Sequence, residues 1–360
     1  MSIKNTCENA YFAASNSTVG FISYYEEIFR TSRIGHIWAI KGGPGTGKSR
    51  FMRDVSNCAI ENGWACEYIY CSSDPDSLDA VILTQEGRDG IAILDATAPH
   101  LFEPICPGAR EDIVNLGRFW NSDALSARRA EIEQLNRKKG DAYRRAYRYL
   151  SGFGDMRANR DSLAAPFIQR EKIALQAQKL LRDLPCGEAY SAQPALIHSV
   201  GMRGEVGFDT YFNEAKEIYI ISDCHGAAQY LMMELGKLAV QKRLAIRLSH
   251  DPVEAEKIDG LFFNESGIAV VVCPEGECDY PHHRIPMRRF VDTASMKYVR
   301  RELRFNDRIS RAFKTEALAA LEKVREVHFR LEDIYSAAMD FTAKEAFTKA
   351  FCEKLFAKKT

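Results

Sequence analysis

The chain has 360 residues, enough for two domains, and its 46% apolar and 27% charged residues make an ordinary globular composition that excludes long disorder and low complexity. Lysine plus arginine and aspartate plus glutamate number 49 each, so no global charge draws the chain toward nucleic acid or an anionic membrane. Ten cysteines over such a length are no disulfide framework, no secretory leader is visible, and no run approaches the ~18 apolar residues of a membrane helix, so the expectation is a reduced, soluble, cytoplasmic protein without a membrane partner.

In chain order, residues 9–14 (NAYFAA) read as a short strand and 21–30 as a helix with an aromatic face. The apolar run 36–40 (HIWAI) reads as a buried strand. A glycine-rich turn follows, then a helix from about Lys48 to Glu61, stopped by Asn62 and Gly63. Residues 66–71 (CEYIY and a cysteine) and 91–95 (IAILD) are further strands. Strands alternating with helices predict an α/β fold with a parallel sheet covered on both faces. From about 122 to 184 the chain turns long, charged and helical, with a GFG break at 152–154, which predicts an appended helical hairpin.

The second half repeats the first in order. Val19-Gly20-Phe21 returns as Val206-Gly207-Phe208, IWAI at 37–40 as IYII at 218–221, and Gly90-Ile91-Ala92-Ile93 as Gly267-Ile268-Ala269-Val270. Two duplicated units are therefore expected, 1–190 and 194–360, the second ending in its own helices at about 298–357.

Residues 42–49, GGPGTGKS, match G-x-x-x-x-G-K-[ST] between a strand and a helix. Gly42, Gly43, Pro44, Gly45, Thr46 and Gly47 would turn main-chain N–H groups inward around phosphate oxygens, with Arg50 just inside the helix. Lys48 would reach the β- and γ-phosphates, and Ser49 would ligate Mg2+. Asp95 ends an apolar strand where a Walker B carboxylate would hold the same ion, but Ala96 follows it instead of the glutamate that serves many ATPases as general base.

The repeat acts as an internal control. In the second unit the corresponding stretch is SDCHGAAQYL at 222–231, Val272 stands for Asp95, Pro274 for Thr97 and Glu277 for His100. His100 and Thr97 are thus lost with the loop and are candidates for chemistry near a γ-phosphate; His100 would sense phosphate or place water, or else be an ordinary loop histidine bonded to backbone. Asp74 and Asp79 are kept as Asp251 and Asp259, and so read as turn or cap residues. Asp76 has no counterpart and is a candidate for positioning water or an acceptor hydroxyl.

The segments KGGPGTGKS at 41–49, CSSDPDSLD at 71–79, LDATAPH at 94–100 and DIVNLGRFW at 112–120 resemble a family of bacterial P-loop ATPases built as a tandem repeat. The resemblance covers nearly the whole chain. It implies the three-layer α/β/α fold of P-loop NTPases, ATP as the nucleotide and its hydrolysis. The second P-loop is degenerate here, which departs from that pattern.

Other signals are weaker. Cys224-His225, Cys273, Cys278 and His282-His283 are zinc-type ligands without a usual zinc spacing. The helix at 128–149 interleaves arginines and lysines with Tyr143, Tyr147 and Tyr149; a solvated helix with packed aromatics is the preferred reading over a nucleic-acid partner. Arg110, Arg118, Arg288 and Arg289 are further candidate charge partners for a transition state. Three functions compete: an ATPase driving a conformational change between the units, a P-loop small-molecule kinase, and a nucleotide-gated binding module with little turnover. In each, residues 194–360 could serve a protein partner as a docking surface.

Overall fold

The structure is a computed structural model and describes residues 2–4, 9–273 and 279–357. Its first half comprises β1 (Ser2–Lys4), β2 (Asn9–Phe12), β3 (Ala14–Ser17), β4 (Gly20–Ser23), α1 (Tyr25–Phe29), β5 (Ile34–Lys41), α2 (Lys48–Glu61), β6 (Ala65–Tyr70), β7 (Leu78–Thr84), β8 (Gly90–Asp95), β9 (Glu111–Asn115), α3 (Ser122–Ala127), α4 (Arg129–Ala164) and α5 (Arg170–Leu181). The second half comprises β10 (Ser191–Pro194), β11 (His198–Gly201), β12 (Gly204–Phe208), α6 (Thr210–Glu214), β13 (Glu217–Ser222), α7 (Ala227–Gln241), β14 (Ala245–His250), β15 (Ile258–Phe263), β16 (Ile268–Val272), β17 (His283–Pro286), α8 (Arg300–Ala337) and α9 (Phe341–Phe356).

The fold is mixed α/β with two six-stranded sheets, ordered β2-β6-β7-β8-β5-β9 and β10-β14-β15-β16-β13-β17. Numbered in chain order within each sheet, the two orders are the same, 1-3-4-5-2-6. The parallel sheet expected from sequence is corrected in one respect: β7 runs antiparallel to β6 and β8, and β15 antiparallel to β14 and β16. The reason is connection length. The segments 71–77 and 85–89 are too short for a parallel crossover, which takes a dozen or more residues.

The expected helix at 21–30 is also shortened. Gly20, at φ 107°, closes a hairpin between β3 and β4, so the helical residues are Tyr25–Phe29. The expected break at 152–154 is absent, and α4 runs through it for 36 residues. Its glycines serve close approach instead. A Cβ on Gly152 would lie 2.9 Å from the Phe313 ring of α8, and one on Gly154 would lie 2.5 Å from the Thr18 methyl.

The long helices exchange partners between the halves. α4 lies along α8. From the second half, α9 covers the first sheet's helix α2: Phe351 meets Phe51 at 5.1 Å and Trp38 at 5.0 Å between ring centroids. From the first half, α5 covers α7, with Ile173, Ala177 and Leu181 sharing a core with Leu231, Leu235 and Ala239. A second seam joins the halves where Phe12 stacks on Phe208 at 4.5 Å. Among the described residues no helix is long and apolar enough to cross a membrane.

Candidate functional site

The site lies where β5 meets β8, whose parallel pairing sets Ile40 beside Asp95. The chain leaves β5 at Lys41, turns through 42–47, and enters the 14-residue helix α2 at Lys48. The turn needs glycine: Gly45 has φ 69° and Gly47, the residue that starts the helix, has φ 74°. Thr46 is buried and its hydroxyl donates to the Gly43 carbonyl at 2.9 Å, bracing the loop from inside. Lys48 folds back under it. Its ammonium donates to the carbonyls of Gly42 and Gly43 at 2.9 and 2.8 Å and sits 3.4 Å from an Asp95 carboxylate oxygen.

Asp95 is 9% exposed. Burial raises its pKa above the ordinary carboxylate value, Lys48 opposes that rise, and Asp79 adds to it. Its other oxygen accepts the Thr97 N–H at 2.8 Å. The Thr97 hydroxyl in turn donates to the Gly42 carbonyl at 2.8 Å and accepts the Gly42 N–H at 3.3 Å. Thr97 thereby clamps the loop after β8 to the start of the glycine-rich turn. The Ser49 hydroxyl oxygen accepts the Leu78 N–H at 3.0 Å, anchoring α2 to the start of β7.

The remaining candidates divide. His100 is buried, and its Nε2 lies 3.0 Å from Asp79. Its ring stacks on Tyr25 at 4.9 Å and takes the edge of Phe21 at 5.1 Å. Burial works against the imidazolium, but the Asp79 carboxylate outweighs it and raises the pKa. Asp76 is half exposed and pairs with Arg203 at 2.6 Å. Arg50 is 76% exposed on the outer face of α2 and pairs with Asp54. Arg110 donates to the carbonyls of Thr31 and Ile34, while Arg118 lies over Phe119 and Phe347. Arg288 and Arg289 belong to the second sheet's end, where Arg289 meets Gln176.

Several groups at the site were not legible in sequence. Asp79, read there as a turn or cap residue, is the second residue of β7 and faces His100. Its conserved place in both halves has a structural echo: Asp259 bonds His198 at 2.7 Å. From the long helices, Lys139 donates to His328 Nδ1 at 3.3 Å, and burial together with the nearby Lys48 lowers the Lys139 pKa. Glu332 lies 3.5 Å from His328 Nε2, and His328, Lys48 and the Gly45 main chain together hold its carboxyl below the usual range. No sequence pattern links these to the turn, because their approach depends on how α4 and α8 pair.

In the second half, Val272 stands beside Ile221 as Asp95 stands beside Ile40. There the turn into α7 is occupied by its own side chain. The Asp223 carboxylate accepts the N–H groups of Gly226 at 2.9 Å and Ala228 at 2.8 Å, the arrangement of an anion at a helix N-terminus. Arg157, Arg160, Lys257 and Lys314 line a cavity of about 380 Å³ at that place, each paired with a carboxylate. Cys224, His225, Cys273, His282 and His283 form no group of three or more metal-type ligands among the described residues. Cys278, like Pro274 and Glu277, lies outside the described residues. In α4, Tyr143 and Tyr147 point inward, donating to Ser73 and Asn16.

Comparison of the chain with protein-family models, with curated proteins and with solved structures finds no match.

Proposed function

We propose that residues 42–49 are a P-loop that binds Mg-ATP, and that the chain is an ATPase whose second half is a decayed repeat of the first. The observation that carries this reading is the position of Lys48. It is held under a turn with two left-handed glycines, at the start of a 14-residue helix, 3.4 Å from a buried carboxylate. The residues fit the group they would hold. Lys48 and the α2 N-terminus are positive and would take the β- and γ-phosphates. Ser49 and Asp95 would take Mg2+, whose charge neutralises the phosphate oxygens during transfer. The raised Asp95 pKa marks a carboxylate whose burial a cation would relieve.

Three facts support duplication: the common strand order, the antiparallel strand at the same place in both sheets, and the matching registers of Asp95 and Val272. The three-layer P-loop fold and the choice of ATP rest on the sequence resemblance. Coupling of turnover to motion is supported by α8, which reaches the loop from the far end of the chain through Glu332 and Ser336.

The test is phosphate release from nucleoside triphosphates with Mg2+, alongside binding by calorimetry. Release from ATP that disappears in Lys48→Ala and Asp95→Asn is the expected result. Transfer to a metabolite without release would select the kinase, and saturable binding without turnover the gated module. The absence of any saturable binding to purine triphosphates would remove the proposal.

A further inference from the structure

Beside the loop, three strands deliver a different set of ligands. Cys71 follows β6, Asp79 is the second residue of β7, and His100 lies on the segment after β8. A ligand atom from each falls within 4.8 Å of the other two, the one such grouping among the described residues. Nothing in the nucleotide reading needs a thiol there.

A plain His–Asp hydrogen bond accounts for only part of this arrangement. His100 is 5% exposed, yet its Nδ1 has no hydrogen-bond partner among the described residues. The ring is held by Tyr25 and Phe21 instead, so its direction is set by packing before any ligand arrives. The Cys71 sulfur lies within 4.8 Å of the Asp79 carboxylate and the His100 ring, at a partly buried position. A partly buried thiol, a buried carboxylate and an incompletely bonded imidazole become mutually favourable when a dication lies among them.

We propose that Cys71, Asp79 and His100 form a binding site for a zinc-class divalent cation. The donor set decides the class: sulfur, nitrogen and oxygen together suit borderline ions such as Zn2+ or Co2+, whereas Mg2+ and Ca2+ take oxygen. Three protein ligands leave a fourth position open, the pattern of sites that hold a water or substrate atom. On binding, the Cys71 S–H bond gives way to a sulfur–metal bond and its proton goes to solvent. The ion is distinct from one held by Ser49 and Asp95, and its presence does not depend on nucleotide.

The test is titration of the metal-stripped full chain with Co2+, without nucleotide. A single equivalent producing a thiolate-to-cobalt charge-transfer band, displaced by Zn2+, is expected. Cys71→Ser should abolish that band, His100→Gln should weaken affinity by at least about tenfold, and Cys106→Ser, at an exposed cysteine, should change neither. A wild-type chain that gives no charge-transfer band overturns the proposal without reference to any variant. So does a band that survives in a Cys71→Ser protein with native circular dichroism.

Discussion

Ser336 donates its hydroxyl to the main-chain oxygen of Gly45 at 3.1 Å, across 291 residues of sequence. The last turn of α8 therefore rests on the middle of the glycine-rich turn, and the two must move together. The contact leaves no room at Gly45: a Cβ there would lie 2.5 Å from the Glu332 carbonyl oxygen and 2.6 Å from the Ser336 hydroxyl. The residue also sits at φ 69°, where an L side chain costs about 1–2 kcal/mol. Gly45→Ala is expected to weaken Mg-ATP binding more than about tenfold and to lower the melting temperature, because the turn must shift away from α8. Calorimetry and a thermal scan on the same preparation check both effects.

Glu332 sets a second expectation of opposite sign. Its carboxyl is held below the ordinary range by His328, and by Lys48 and the Gly45 main chain, two groups that a phosphate would also use. A triphosphate entering the turn must displace or tolerate that charge. Glu332→Gln keeps the shape and removes the anion. It is expected to tighten Mg-ATP binding by about tenfold, which is ~1.4 kcal/mol. Weaker binding in calorimetry would mean that Glu332 orders the loop rather than guarding it.

Much of the site was legible because its signals are local. The turn at 42–47 demands glycine by backbone geometry, and Asp95 closes an apolar run, so both could be read from neighbouring residues. The antiparallel β7 was hidden because its sequence, LDAVILT, is as apolar as a parallel strand, and only the short flanking segments betray its direction. Asp79 was discounted because it is kept in the half that lost the turn. That inference fails when a residue serves a His–Asp pair present in both halves. The contribution of Lys139, His328 and Glu332 was beyond reach, since it follows from the register of two helices of 36 and 38 residues.

The second half carries a pH expectation of its own. Asp161 on α4 lies among Arg160 and Lys257, with Gly226 of the α7 turn against its carboxyl. Burial alone would raise its pKa, but Arg160 and Lys257 overcome burial and hold it below the ordinary carboxylate value. A depressed folded-state pKa stabilises the fold above the unfolded-state pKa, and the benefit is lost as pH falls through the folded one. Asp161→Asn should therefore be less stable than wild type at neutral pH, and the gap should close progressively in acid, from about pH 5 downward. Urea midpoints of both proteins across that range measure it. A constant gap would assign the loss to packing instead of charge.

The exchange of helices gives the last prediction, about which pieces of the chain can stand alone. A cut near residue 190 would follow the repeat, but it would leave α5 without α7 and strip α9 from α2. The first core would lose Phe208, Tyr211, Phe351 and Cys352 at once. Fragment 1–190 is expected not to fold cooperatively, seen as a broad urea transition and dye binding to exposed apolar surface. Point variants separate the two directions of the exchange. Phe351→Ala, far from the turn in sequence, removes a ring packed on Phe51 and Trp38 and should cost about 3–5 kcal/mol while weakening nucleotide binding. Ile173→Ala, though nearer the turn in sequence, opens a cavity under α7, should cost about 2–5 kcal/mol and should leave nucleotide affinity nearly unchanged. If the affinities followed sequence proximity instead, with Ile173→Ala the more damaging, the crossed packing of α5 and α9 would not be what holds the site in shape.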